Sequence, residues 1–196
     1  MIKRPKVPER LRPWVGALRS RDERQDLVWE LRRRALGAPG LPERPIERLL
    51  VICLGNICRS PFGERYLANA CPRLCVRSAG FGAADGDPAP NEAIRVAREF
   101  DIDLTRHAAR RMTRDDAEWA DLIVAMSGRH YAMMAERWPE HLAKIRMLGD
   151  FLDTAPHVIP DPWGQPADAF RTVYAQIVRA GDRLAIDLEA ARGGGR

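Results

Sequence analysis

An unbroken apolar run from Leu49 to Leu54, RLLVICL with its leading arginine, passes into Gly55 and Asn56 and reaches Pro61 after Arg59 and Ser60. A run this short and this apolar reads as a strand buried on both faces. Such a strand needs helices on both sides of its sheet. This one stretch therefore points the chain toward a layered α/β fold with a parallel sheet. It also raises the question of why a buried strand should deliver a cysteine, Cys53, to a turn that ends in an arginine.

The pattern repeats downstream. SPFGERYLANAC (60–71) reads as a helix, LCVRSAGF (74–81) as a strand and APNEAIRVAREF (89–100) as a helix. After a loop around His107, ADLIVAM (120–126) reads as a strand, GRHYAMMAERW (128–138) as a helix and KIRMLGDF (144–151) as a short fourth strand. A loop holding Pro156, Pro160 and Pro162 leads to a terminal helix over 166–191, with Phe170, Val173, Tyr174, Ile177, Leu184 and Leu188 on its inner side. The expected fold is an α/β three-layer sandwich, a four-stranded parallel sheet flanked by helices, preceded by a helical extension. Ligands of such sheets sit at the C-terminal ends of the strands, where Cys53 lies.

The extension covers residues 1–45 and the folded domain 46–196. Leu11, Trp14, Val15 and Leu18 suit a short amphipathic helix. Ser20 and Glu23 fit a capping box, Leu27, Val28, Leu31 and Ala35 form a second apolar stripe, and Gly37 suits a C-cap before the linker GAPGLPERP. The favoured reading is a helical pair packed on its own domain. The alternative is a docking element for a partner or an anionic membrane surface. Residues 1–45 carry 12 Lys+Arg against 6 Asp+Glu, while 46–196 carry 20 against 21, so the net +5 resides in the extension. A nucleic-acid protein would carry its basic stripe on the folded domain, so no nucleic-acid partner is expected. No apolar run nears the roughly 18 residues of a membrane span. MIKRPKVPER lacks the apolar stretch of a secretory signal. A cytoplasmic location with the four cysteines as thiols is expected. No paired CxxC spacing points to a metal, and no cofactor is expected. Oligomeric state stays open.

In the turn itself, Gly55 and Asn56 are the residues best able to adopt a positive φ. A turn over Leu54, Gly55, Asn56, Ile57, Cys58 and Ser60 can aim successive N–H groups at one anion. The helix opening near Ser60 adds its N-terminal dipole, with Pro61 well placed in its first turn. Arg59 can fold back on a phosphate with two nitrogens. Cys53 at the floor of this positive bowl is favoured as a thiolate nucleophile for phosphoryl transfer. The loop lacks the GK[ST] ending of a nucleotide-binding P-loop, which favours a mechanism without metal.

The string VICLGNICRSP closely resembles the signature of the low-molecular-weight protein tyrosine phosphatases. The resemblance continues in VRSAG (76–80), FDIDLTRHAARRM (100–112), ADLIVAM and IPDPWGQPADAF (159–170), and covers about 47–190. It implies hydrolysis of a phosphotyrosine protein substrate with release of inorganic phosphate. It assigns catalysis to Cys53, Arg59 and Asp161, the last as general acid and then base. Trp163 becomes an aromatic wall for the substrate ring, and Ser60, Ser78 and His107 become the supports of Asn56. Read without the resemblance, Asp161 is an Asp-Pro turn residue and His107 a loop histidine. Cys58, a second thiol five residues from Cys53, could form a reversible disulfide with it that shields the nucleophile from over-oxidation; otherwise it is a small buried residue. Gly164 stands where some members have a second tyrosine, and Ser127 where the family usually has Asp.

Three other readings share the fold. A thiol-dependent arsenate reductase needs further cysteines well downstream, whereas here only Cys71 and Cys75 remain, read as a helix-end and a strand-core residue. Phosphoarginine phosphatases carry Thr where this loop has Ile57. A non-catalytic phosphopeptide-binding module would be expected to lack Cys53 or Asp161. All these motifs follow residue 46, which leaves the extension with no expected part in the chemistry.

Overall fold

The protein is described from a computed structural model over residues 20–193. The expected first helix, with Leu11, Trp14, Val15 and Leu18, lies outside the described residues. In chain order the elements are α1 (Arg21–Leu36), β1 (Arg48–Cys53), α2 (Arg59–Ala70), β2 (Cys75–Gly80), α3 (Asn91–Arg98) and α4 (Arg114–Trp119). Then follow β3 (Leu122–Ala125), α5 (Gly128–Arg137), β4 (Ile145–Met147) and α6 (Ala167–Gly193). The sheet has four parallel strands in the order β2-β1-β3-β4. No helix among the described residues is long and apolar enough to cross a membrane.

β1 shows why the layers form. Its side chains alternate between faces as any strand's do. Leu49, Val51 and Cys53 enter one core with residues of α2, α3 and α6, while Leu50 and Ile52 enter a second with residues of α1, α4 and α5. All five are buried, so neither face of this central strand meets water. The first core holds the helix that follows the cysteine loop. Phe62 of α2 stacks on Tyr174 of α6 with centroids 3.8 Å apart, and Phe100 meets both rings edge-on. Each such pair adds about 0.5–1.5 kcal/mol beyond area burial, which fixes the start of α2 against the sheet. The inner residues expected of the terminal helix, Phe170, Val173, Tyr174, Ile177, Leu184 and Leu188, are all buried.

The structure corrects the sequence reading in four places. α4 was not expected; it is only six residues long, too short for a periodic stripe, and is announced by the Thr113–Asp116 capping box. The fourth strand stops at Met147, and Leu148–Phe151 turn as a 3-10 helix. Cys75 opens β2 in an exposed position rather than in a strand core, whereas Cys71 does cap α2 and is buried. In α1 the Ser20–Glu23 capping box and the Gly37 C-cap form as expected, but Val28 and Leu31 face outward at 65% and 48% exposure. The inward face is Asp26, Trp29, Glu30 and Arg33, spaced i, i+3, i+4, i+7 and mostly polar. Trp29 is buried against Tyr131 of α5, with ring centroids 5.0 Å apart.

Candidate active site

The C-terminal end of β1 delivers Cys53 beside Gly80 of β2, its register partner. Gly80 is required there: a Cβ would stand 2.5 Å from the Leu54 carbonyl oxygen and 2.8 Å from the Asn56 nitrogen. The loop therefore lies directly on β2, and the Gly82 N–H holds the Leu54 carbonyl at 2.8 Å. Cys53 is 2% exposed. Its sulfur accepts the Asn56 N–H at 3.2 Å and stands 3.0 Å from Ser60 Oγ.

Asn56 adopts φ 51°. For a non-glycine residue this left-handed conformation costs on the order of 1 kcal/mol and needs outside support. The side-chain amide donates to Ser60 Oγ and Ser78 Oγ, both at 2.8 Å, and its carbonyl accepts the Arg110 N–H at 2.9 Å. His107 Nε2 meets the Asn56 backbone oxygen at 2.5 Å. The three expected supports, Ser60, Ser78 and His107, thus converge on Asn56. Gly55 differs from expectation: among the described residues its φ is not among the positive ones, so Asn56 alone makes the left-handed turn. Ser78 donates to Glu64 at 2.5 Å, which turns its lone pairs toward Asn56. Ser60 accepts from Asn56, so its own proton is free to point at the Cys53 sulfur.

Arg59 opens α2 and is 4% exposed. Its Nη1 donates to the Ile159 carbonyl at 3.2 Å, and its Nη2 is paired with the Asp161 carboxylate. Asp161 Oδ1 also accepts the Trp163 N–H at 3.1 Å. Trp163 itself is 66% exposed, beside the site. Ile57 is half-buried and Cys58 buried in the loop. Burial, then the neighbouring Asp161 and Cys53, pushes the Cys58 thiol up to about 12 against the pull of Arg59, so it stays protonated. All four cysteines are free thiols. Among the described residues no group of three or more His, Cys, Asp or Glu could hold a metal ion.

Several contributors were not singled out from sequence. Arg110 acts through its backbone, which leaves no side-chain signature. Glu64 is visible only as a carboxylate four residues after Ser60. Asp26 comes from α1: its carboxylate accepts the Gly128 N–H at 2.7 Å at the start of α5. Burial raises its pKa, while N–H groups of Gly128 and Arg129 and the charge of Arg59 oppose the rise. His130 is held well below its ordinary range by burial and by Arg59 and Arg129, and its Nδ1 meets Ser127 Oγ at 3.1 Å.

This geometry has counterparts. The profile of the family described as "Low molecular weight phosphotyrosine protein phosphatase" matches residues 48–192. The low molecular weight protein-tyrosine-phosphatase Wzb of Salmonella typhi is 38% identical over 146 residues, 74% of this chain and 97% of that protein. The crystal structure of Wzb from Escherichia coli K30 with sulphate superposes with a TM-score of 0.70 at 37% identity, covering 73% of this chain and 99% of that one. The YwlE arginine phosphatase from Geobacillus stearothermophilus superposes with a TM-score of 0.71 at 32% identity, covering 76% and 97%. The chain belongs to the low molecular weight phosphotyrosine protein phosphatase family.

Proposed function

We propose that the chain hydrolyses phosphotyrosine in protein substrates, without metal, through a phosphocysteine on Cys53. One observation carries this reading: the Cys53 sulfur lies at the floor of the 54–60 loop, bonded by the Asn56 N–H and facing Ser60, while Arg59 and Asp161 stand joined beside it. A phosphate dianion in the loop would meet backbone N–H groups, the α2 N-terminus and the Arg59 fork, which together balance its charge. The sulphate complex of the Wzb relative is consistent with an oxyanion site of this kind.

In the first step the Cys53 thiolate attacks phosphorus and the P–O bond to the phenol breaks. Asp161, as the acid, gives its proton to the departing oxygen. In the second step water attacks the phosphocysteine, Asp161 takes the water's proton, and the thiolate leaves with release of inorganic phosphate. Leu54, Gly55, Asn56, Ile57, Cys58 and Ser60 form the anion cradle, with Ser78 and His107 holding Asn56 in place. Trp163 offers a face for the substrate ring. The catalytic domain in this reading is 46–196, with 1–45 appended, and a nucleophilic thiol suits a reducing cytoplasm.

Similarity to an arginine phosphatase keeps phosphoarginine as a second substrate class. Ile57 speaks for the aryl ester, because an aliphatic side chain on the loop rim gives a guanidine N–H no acceptor.

The test is an aryl phosphate assay with and without chelator on wild type and Cys53→Ser. The variant should lose turnover while still binding phosphate or vanadate, since the N–H groups and Arg59 remain. Substantial residual turnover, or activity that depends on added Mg²⁺ or Zn²⁺, would refute the mechanism.

A further inference from the structure

The segment that carries Asp161 has few handles. Pro160 and Pro162 have no N–H to give, so beyond Ile159 the segment can donate from its backbone only at Asp161 and Trp163. Ile159 is tied twice: its N–H donates to the Met126 carbonyl at 2.9 Å and its carbonyl accepts from Arg59. The next tie upstream comes from α1, outside the matched family region. Glu30 takes the His157 backbone N–H with one carboxylate oxygen and meets His157 Nδ1 at 3.2 Å with the other. Both side chains are largely buried, at 15% and 11% exposure. A carboxylate holding a backbone N–H and a ring nitrogen of one residue fixes both its position and its orientation.

α1 is itself seated firmly. Gly128 lets the two backbones meet, since a Cβ there would lie 2.4 Å from the Gln25 carbonyl oxygen. Asp26 accepts the Gly128 N–H, and Trp29 Nε1 reaches Asp150 Oδ1 at 3.3 Å. Arg33 pairs with the same Asp150 at 3.3 Å. The face of α1 that packs inward is thus the face that holds the loop.

We propose that α1 is a clamp on the acid loop and that Glu30, acting through His157, is a positioning residue for Asp161. The clamp rests on Asp161 being the general acid. Glu30 bonds His157 and not the phosphate cradle, which is built from 53–60, Ser78 and His107. Its effect is therefore on the acid's placement and not on anion binding.

The test uses the full chain with Glu30→Ala, Glu30→Gln, Asp161→Asn and the Glu30→Ala/Asp161→Asn double variant. Phenyl phosphate and nitrophenyl phosphate serve as poor and good leaving groups. Misplacement of a catalytic group by about 1 Å costs up to about a hundredfold, so Glu30→Ala should lower kcat on phenyl phosphate by about tenfold to a hundredfold. The loss should be smaller on the nitrophenyl ester, and KM should stay within about twofold, because uniform binding is untouched. Glu30→Gln keeps an acceptor for the His157 N–H and should restore most of kcat. The double variant should be no slower than Asp161→Asn, since residues acting as a unit are non-additive. Val28→Ala, on the exposed face of α1, should leave kcat unchanged. If Glu30→Ala does not fold, Glu30→Asp, one methylene shorter, takes its place with the same outcomes. An unchanged kcat in Glu30→Ala, or in Glu30→Asp where that stands in for it, or losses that multiply in the double variant, would overturn the clamp with the acid role intact. A flat leaving-group profile for Asp161→Asn would remove the acid role and the clamp with it.

Discussion

At the scale of residues, the cradle was legible because its chemistry needs particular side chains at fixed places. Only a few residue types tolerate φ 51°, so Asn56 could be read from sequence; its neighbour Gly55 could equally have made the turn and does not. Arg110 could not be read, because any non-proline residue there would offer the same N–H. The resemblance supplied Asp161 and His107, whose own types are common in loops. Arg59 shows how far one side chain is committed. One terminal nitrogen holds the Ile159 carbonyl at 3.2 Å and the other holds Asp161, so the guanidinium ties the 53–60 loop to the loop of Asp161. A lysine has one ammonium on a flexible stem and cannot serve both acceptors and a phosphate. Arg59→Lys should lower kcat/KM on an aryl phosphate by at least about tenfold, equivalent to about 1.4 kcal/mol. A smaller loss in steady-state kinetics would show that Arg59 is not the phosphate clamp.

At the scale of elements, apolar periodicity located every strand and the longer helices, and it failed where packing is polar. In α1 it picked out Leu27, Val28, Leu31 and Ala35, yet the docked face is Asp26, Trp29, Glu30 and Arg33. A polar helix face reads as a solvated one unless the partner that satisfies it is known, and those partners, Gly128, Asp150 and His157, lie more than a hundred residues on. α5 carries another buried polar group with a measurable consequence. His130 is enclosed, its Nδ1 meets Ser127, its ring lies parallel to Phe81, and burial with the charges of Arg59 and Arg129 keeps it neutral. Its folded pKa lies below its unfolded value. The resulting stabilisation is complete above the unfolded value of 6.5 and is lost as pH falls below it, because only the unfolded chain takes up the proton. Each pH unit in that range removes about 1.4 kcal/mol from this group alone. His130→Asn keeps an acceptor for Ser127 and does not titrate. Urea unfolding should show a smaller drop in stability from pH 7.5 to 5.0 for the variant than for wild type, whatever packing it loses against Phe81. Equal drops would mean that His130 already protonates in the folded protein.

At the scale of the molecule, a parallel sheet sends the carboxyl ends of its strands to one edge. That geometry gathers 53–60, Ser78, 107–110 and 157–163 around one point although they span over a hundred residues. Strand–helix alternation made the sheet legible, but not the strand order β2-β1-β3-β4, because several orders satisfy the same alternation. The rim of the gathered site decides what reaches it. Trp163 stands 66% exposed two residues beyond Asp161, and half-buried Ile57 lines the loop. An aryl ester can lay its ring on Trp163, and its phenol, with a pKa of about 10, leaves readily once protonated. Phosphoserine has a poorer leaving group and no ring. Phosphoarginine brings N–H donors toward Ile57, and a polar group desolvated without a partner costs about 1–3 kcal/mol, roughly tenfold to a hundredfold in rate. Wild-type kcat/KM should therefore rank phosphotyrosine above phosphoarginine and above phosphoserine. Ile57→Thr places a hydroxyl acceptor at the rim and should raise the phosphoarginine-to-phosphotyrosine ratio by about tenfold, as a regained hydrogen bond of about 1.4 kcal/mol would. Efficient turnover of phosphoarginine by wild type, with little activity on phosphotyrosine, would overturn the substrate assignment while leaving Cys53 as the nucleophile. A ratio unmoved by Ile57→Thr would show that the selection is made elsewhere on the rim.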